Sequence, residues 1–345
     1  MATLEACNEA ILELKDKIRD KKTALVDHQE KLLSSVGKEK GLHTPQTAIK
    51  MRRRLEGHFG KIYAFHWGPD SQNLVSASQD GNMFVWNAVF GLKIQGITLK
   101  SSWVMACGYS PNGHLVATAG LDNVVWIYKV EEGATEDVYL ELAGHEGYIS
   151  SCLFLNDRQM VTTSGDCSAA LWDIEARKMT QEFTEHTLDV NCCALADQGN
   201  LFLTGSCDST TKLWDVRVGN RSVRTFIGHE SDVNSVAFFP DGNSFLSGSD
   251  DTTCRLYDIR SYSMINTYGG DEQHFFGVTS AAVSKSGKYV LTSYDTGPVI
   301  VWDTVYATEV QSLEGHEKRV SRVRVSPDGS AIATSSWDTN LIVWA

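Results

Sequence analysis

The chain has 345 residues and a formal charge of −12, and no stretch reaches the roughly 18 consecutive apolar residues a membrane-crossing helix needs. The charge is uneven: residues 1–54 hold 12 Lys and Arg against 8 Asp and Glu, whereas residues 55–345 hold 19 against 35. So acidic a body argues against nucleic acid as a partner, because that affinity comes mostly from neutralising phosphates with Lys and Arg.

The chain opens on a heptad. Leu4, Ile11, Ile18, Leu25 and Leu32 recur every seventh residue, with Cys7, Leu14, Lys21 and His28 at the intervening d-type positions. Glu9, Glu13, Lys17 and Asp20 belong to a charged outer face with i, i+4 pairing. A helix over residues 1–40 is predicted, and one apolar stripe on a lone helix calls for a partner helix. The polar d positions favour a chosen heterologous partner over self-pairing; docking onto the body of the same protein is the alternative. Residues 41–54 then read as a linker and a strand, with Arg52, Arg53 and Arg54 as the basic run.

From residue 55 onward one phrase repeats. Trp86, Tyr128, Trp172, Trp214, Tyr257 and Trp344 each follow an acidic turn residue by six positions: Asp80, Asp122, Asp166, Asp208, Asp251 and Asp338. Trp302 makes a seventh, with Thr296 at the turn position and Asp295 before it. Successive aromatics lie 42, 44, 42, 43, 45 and 42 residues apart, the period of a four-stranded propeller blade. In the fourth unit, Asp189–Ala196, Leu201–Ser206, Thr211–Val216 and Val223–Phe226 read as the four strands, rich in Val, Thr and aromatics. The fold class is therefore all-β: a seven-bladed propeller over 55–345 preceded by a coiled-coil helix.

Histidines recur with the acids. His58, His145, His186, His229 and His316 precede their turn Asp by 21 or 22 residues, His274 precedes Thr296 likewise, and Lys100 takes the place in the second unit. A catalytic dyad would not be copied into every blade, so these residues read as a structural network: a buried Asp takes turn amides and a His that is itself linked to Ser or Thr and the Trp. With Thr296 as the poor copy, the sixth blade is expected to be the loosest. The chain ends after only three strands of the seventh unit, and Thr47–Leu55 has the length and position of the fourth, which closes the ring.

Cys7, Cys107, Cys152, Cys167, Cys192, Cys193, Cys207 and Cys254 include no CxxC pair, and no signal peptide opens the chain, so a reduced, cytosolic setting is expected. There is no P-loop, nucleophile elbow or HExxH, so neither an enzyme, a cofactor nor a metal is expected.

Beyond the generic repeat, Lys61-Ile62-Tyr63-Ala64, Ser76-Ala77-Ser78-Gln79-Asp80-Gly81, Ser101-Ser102-Trp103-Val104-Met105, Gly120-Leu121-Asp122-Asn123, Gly228-His229-Glu230-Ser231-Asp232-Val233-Asn234 and Ser249-Asp250-Asp251-Thr252-Thr253-Cys254-Arg255-Leu256 resemble the β subunit of heterotrimeric G proteins, a WD-repeat family, and the resemblance covers the whole chain. It implies that Leu4, Cys7, Ile11, Leu14, Ile18, Leu25, His28 and Leu32 pair with a small γ subunit whose lipid holds the protein at the inner face of the plasma membrane. It also implies that the ring binds an α subunit in its GDP form and, after exchange, effectors through the same face.

Topology points to that face independently. In an up-and-down blade the loop before the first strand and the loop between the second and third emerge on one side. That rim reads Phe59, Lys61, Tyr63, Phe84, Ser102, Trp103, Met105, Leu121, Asn123, Tyr148, Asp189, Asn191, Cys207, Asp232, Asn234, Asp250, Thr279, Asp295, Arg319 and Trp337, and the resemblance adds Lys93. Aromatics beside Arg, Met and carboxylates have the composition of a binding hot spot. Asn82, Leu92, Glu146 and Asn191 depart from the family pattern of Lys, Asn, Thr and Met, so electrostatic steering is expected to be altered. A generic repeat scaffold for another assembly is the competing reading.

Overall fold

A computed structural model describes residues 48–130, 138–197, 199–270 and 275–345. The heptad helix, with Leu4, Cys7, Ile11, Leu14, Ile18, Leu25, His28 and Leu32, lies outside the described residues, as does His274. The compact unit that remains runs from Ile49 to Ala345.

Its described residues form 28 strands in seven four-stranded antiparallel sheets. The innermost strand of each sheet is β2 (Ile62–Trp67), β6 (Val104–Tyr109), β10 (Ile149–Phe154), β14 (Val190–Leu195), β18 (Val233–Phe238), β22 (Val278–Val283) and β26 (Val320–Val325). These strands contact one another in order around a circle that closes between β26 and β2. The sheets led by β2 to β26 are numbered blades 1 to 7. In blade 4 the later strands are β15 (Leu201–Ser206), β16 (Thr210–Asp215) and β17 (Arg224–Ile227), each within a residue or so of the sequence reading.

The apolar residues explain why the sheets stack face to face. Seven clusters of buried side chains each span one seam. Ala64, Val75, Met83 and Ile97 of blade 1, for example, pack on Val104, Cys107, Val116 and Tyr128 of blade 2. Burying a large apolar side chain contributes roughly 1.5–3 kcal/mol. A propeller thus has no single central core, and its stability resides in the seams. Cys107, Cys152, Cys192, Cys193 and Cys254 are buried free thiols of this kind.

β1 (Met51–Leu55) completes blade 7 by pairing with the last strand, β28 (Leu341–Trp344), with Leu55 opposite Leu341 and Arg54 opposite Ile342. Lys50 and Ala345 exchange backbone bonds of 3.1 and 3.0 Å beyond it. The basic run faces water on this outer edge, Arg52 donating to the Ala345 carbonyl at 3.0 Å and Arg54 to that of Gly315 at 2.8 Å. Charge there discourages another chain from adding to the edge.

Among the described residues, five blades contain the His–Asp pair and four of them the full network with its Trp. In blade 3, His145 Nδ1 lies 2.8 Å from Asp166 and Nε2 lies 2.7 Å from Thr162, whose hydroxyl also accepts Trp172 Nε1 at 2.8 Å. His58–Asp80, His186–Asp208 and His316–Asp338 repeat the arrangement at 2.7–2.9 Å, and His229 joins Asp251 and Ser247 at 2.7 Å in blade 5, where Tyr257 replaces the donating Trp. The other carboxylate oxygen accepts the amide two residues on, as in Ser168 and Thr210. That bond supports the intervening residue in the left-handed region, φ +68° at Cys167 and +64° at Ser209, which ordinarily costs an L-residue 1–2 kcal/mol. Blade 2 departs: with Lys100 in the histidine's place, Asp122 accepts Trp126 Nε1 at 2.6 Å and its buried Oδ1 has no hydrogen-bond partner. Blade 6 retains the Trp302–Thr292 bond at 2.7 Å.

Candidate protein-docking rim

The rim is assembled by one backbone hydrogen bond repeated seven times. The amide after each second strand donates to the carbonyl just before each first strand: Gln79 to Lys61, Leu121 to Trp103, Gly165 to Tyr148, Cys207 to Asp189, Asp250 to Asp232, Asp295 to Gly277 and Trp337 to Arg319, at 2.8–3.2 Å. Two loops far apart in sequence are thereby fixed side by side in every blade, which places the predicted rim residues on one end of the ring.

Every first strand also carries a bulge at the same place. The register skips Tyr63, Met105, Ser150, Asn191, Asn234, Thr279 and Ser321, each five residues after its histidine or the equivalent position. A bulge leaves its residue outside the ladder and re-aims the side chain. Five of the seven aim at the next blade. Thr279 and Ser321 donate to the carbonyls of Val320 and Ile62 at 2.7 Å. Asn234 reaches Val278 at 3.2 Å, Asn191 reaches Val233 at 3.4 Å, and Ser150 donates to Val190. The other two, Tyr63 and Met105, have no polar group able to make this bond from the same place, and stand half-buried at the rim.

The rim consequently divides into two sectors. Over blades 7, 1 and 2 it is apolar and cationic: Phe59 is 91% exposed, Leu121 51% and Trp103 48%. Trp337 is held by cations, with Lys61 Nζ 3.9 Å and Arg319 Cζ 4.9 Å from its ring centre and Tyr63 edge-on at 6.0 Å. Ser102 is exposed beside Trp103, and Asn123 donates to the Glu146 carbonyl at 3.1 Å. Over blades 4 to 6 the rim is acidic: Asp189, Asp232, Asp250 and Asp295 follow one another, and Arg319 meets Asp295 at 3.3 Å where the sectors join. Burial and the neighbouring Asp232 and Asp295 raise the Asp250 carboxyl, against the hydrogen bond from Asn234. Tyr148 bonds Asp189 at 3.0 Å, and burial together with that carboxylate pushes its hydroxyl pKa up. Burial and Asp232 push the Cys207 thiol up to about 11, so it is a thiol and not a reactive thiolate.

Three positions differ from the sequence reading. Phe84 is buried, stacked on His58 at 4.4 Å with Lys93 Nζ 3.3 Å from its ring, because its strand, β4 (Asn82–Asn87), faces the seam with blade 7. Thr279 is buried as the stitch to Val320. Lys93 lies on the outer strand β5 (Leu92–Thr98), paired opposite Trp86, at the blade's flank beside the exposed Leu92. Conversely, Ser150 and Ser321 were missed, although the constant five-residue spacing from the histidine marks them.

A family model described as "G protein beta WD-40 repeat protein" matches residues 1–345. The chain belongs to the G protein β subunit family. The chain is similar to a "guanine nucleotide-binding protein subunit beta" of Nicotiana tabacum, 42% identical over 365 aligned positions covering 99% of this chain and 96% of that one. It is also similar to "guanine nucleotide-binding protein G(I)/G(S)/G(T) subunit beta-1" of Homarus americanus, 50% identical over 298 positions covering 86% and 87%. The members of the G protein β family are signalling subunits and not enzymes. Among the described residues no helix is long and apolar enough to cross a membrane.

Proposed function

We propose that the chain works with a γ subunit as the βγ half of a heterotrimeric G protein. The heptad of Leu4, Ile11, Ile18, Leu25 and Leu32 is the γ-binding element, and the lipid of its partners holds the protein at the membrane. The sector of blades 7, 1 and 2 docks α in its GDP form and, once α has exchanged nucleotide and left, an effector. The mechanism is exclusion: one surface cannot hold two proteins, so the nucleotide on α decides which has access.

The observation that carries this reading is the exposure of Phe59, Trp103 and Leu121 beside Trp337, on the side of the ring where the bulge residues Tyr63 and Met105 leave the seams unstitched. Large exposed aromatics on a rigid backbone lose little entropy on binding, and such residues dominate interface energetics. The acidic sector supports steering more than affinity. The test is to titrate the chain, with γ, against α in GDP and in activated form. At least a tenfold preference for the GDP form is expected; equal affinity would exclude exchange-controlled access and favour a scaffold role.

A further inference from the structure

Two arginines of the last blade, Arg322 and Arg324, form no ion pair among the described residues. After the bulge at Ser321, β26 places Arg322 and Arg324 on the same side of the strand, while Val323 between them enters the seam cluster of blades 6 and 7. Arg324 lines an axial cavity of about 430 Å³ together with His66, Tyr109, Cys193, Phe238 and Ser326. In the other first strands the residue after the bulge is Ala64, Ala106, Ser151, Cys192, Ser235 or Ser280, so six small side chains leave room for the Arg322 guanidinium. Cys193 of blade 4 lines the same cavity, so Arg324 and that thiol share the shaft from different blades.

The thiols and the imidazole near them supply no counter-charge. Burial pushes the Cys107 and Cys192 thiols up to about 12 and Cys193 to about 11, so all are neutral. Burial and Arg324 push His66 down to about 4, so that ring is neutral too. Burial and Arg322 also lower Arg324 to about 10, which still leaves it charged at pH 7. Asp197 lines the cavity and Lys285 stands at it with its ammonium donated to the Pro327 carbonyl, and neither arginine forms an ion pair among the described residues. Half-buried guanidiniums outside any ion pair keep their donors available, and their planar forks match tetrahedral oxyanions in particular.

We propose that the axial cavity is a binding site for a phosphate-class oxyanion held by Arg324 at the cavity wall, with Arg322, two residues back on the same side of β26, adding positive charge, the ligand being free phosphate or a phosphomonoester. The blade-7 strand supplies the charge and the six small residues opposite supply the space. The test is calorimetric titration and thermal melting of the full chain with inorganic phosphate, with glycerol phosphate, and with chloride at matched ionic strength. Saturable phosphate binding with a rise in Tm that chloride does not reproduce is expected, and Arg322→Ser or Arg324→Ala weakens it about tenfold or more, as loss of a charge-assisted bond requires. Tighter binding of glycerol phosphate than of phosphate assigns the ester as ligand; the reverse assigns the free ion. Arg322→Ser introduces a residue type that three other blades tolerate at this place and so serves should Arg324→Ala fail to fold. An equal response to chloride, or unchanged affinity in folded Arg322→Ser, overturns the proposal.

Discussion

Trp103 and Trp337 show two ways of keeping an indole at a surface. Trp337 is gripped by Lys61 and Arg319 and backed by Tyr63, so its position is set before any partner arrives. Trp103 is nearly half exposed, and its backbone carbonyl is fixed by Leu121 at 3.1 Å. Trp103→Ala is therefore expected to weaken α binding by about 2 kcal/mol or more while Tm stays near that of the parent chain; a large fall in Tm with binding intact would place the ring in the core's energetics. The histidine-linked carboxylates make a different prediction. Burial raises Asp80, but the hydrogen bonds from His58, Phe59 and Asn82 outweigh it and hold the group at about 2, with Asp166, Asp208, Asp251 and Asp338 also lowered. A lowered carboxylate stabilises the fold fully above its unfolded value near 4 and loses that contribution as pH falls toward and through the folded value. Melting temperature should thus fall steeply between about pH 4 and pH 2, and Asp80→Asn should flatten part of that slope; a slope unchanged in the variant would contradict the assignment.

At the scale of strands, periodicity made most of the fold legible and left the seams dark. Aromatic spacing gave seven blades, and the missing fourth strand of the last unit pointed to the chain's own N-terminal side, where β1 indeed pairs with β28. Those features are local in sequence or recur with a fixed period. The stitches between blades are neither, because Ser321 finds Ile62 across 259 positions. Phe84 was misread for the same reason: turn position says which end of a blade a residue occupies, but its burial depends on the facing blade, here on Ala333, Leu341 and Val343. The stitch predicts that Ser321→Ala, which strands a buried carbonyl at the seam that closes the ring, destabilises the protein by about 1–2 kcal/mol in chemical denaturation without altering α affinity. A neutral substitution would show that the hydroxyl contributes nothing to closure.

For the whole molecule, the repeat supplies rigidity, and the proposed recognition surface lies where the repeat is broken. Seven seams hold a ring; the sector proposed to face a partner is where the bulge residues of blades 1 and 2 are Tyr and Met, where indoles stand outside the Asp–Trp grammar, and where cations replace the carboxylates of blades 4 to 6. The sequence displayed these exceptions, but only the shared backbone bonds of the rim gather them onto one end. Amide hydrogen exchange across the full chain with γ, with and without α in its GDP form, tests this most directly. Protection is predicted for the segments around Phe59–Tyr63, Trp103–Met105, Leu121–Asn123 and Trp337, with little change in the outer strands of blades 4 and 5. Protection confined to the outer strands or to the opposite mouth of the ring, with those four segments unchanged, would contradict the account.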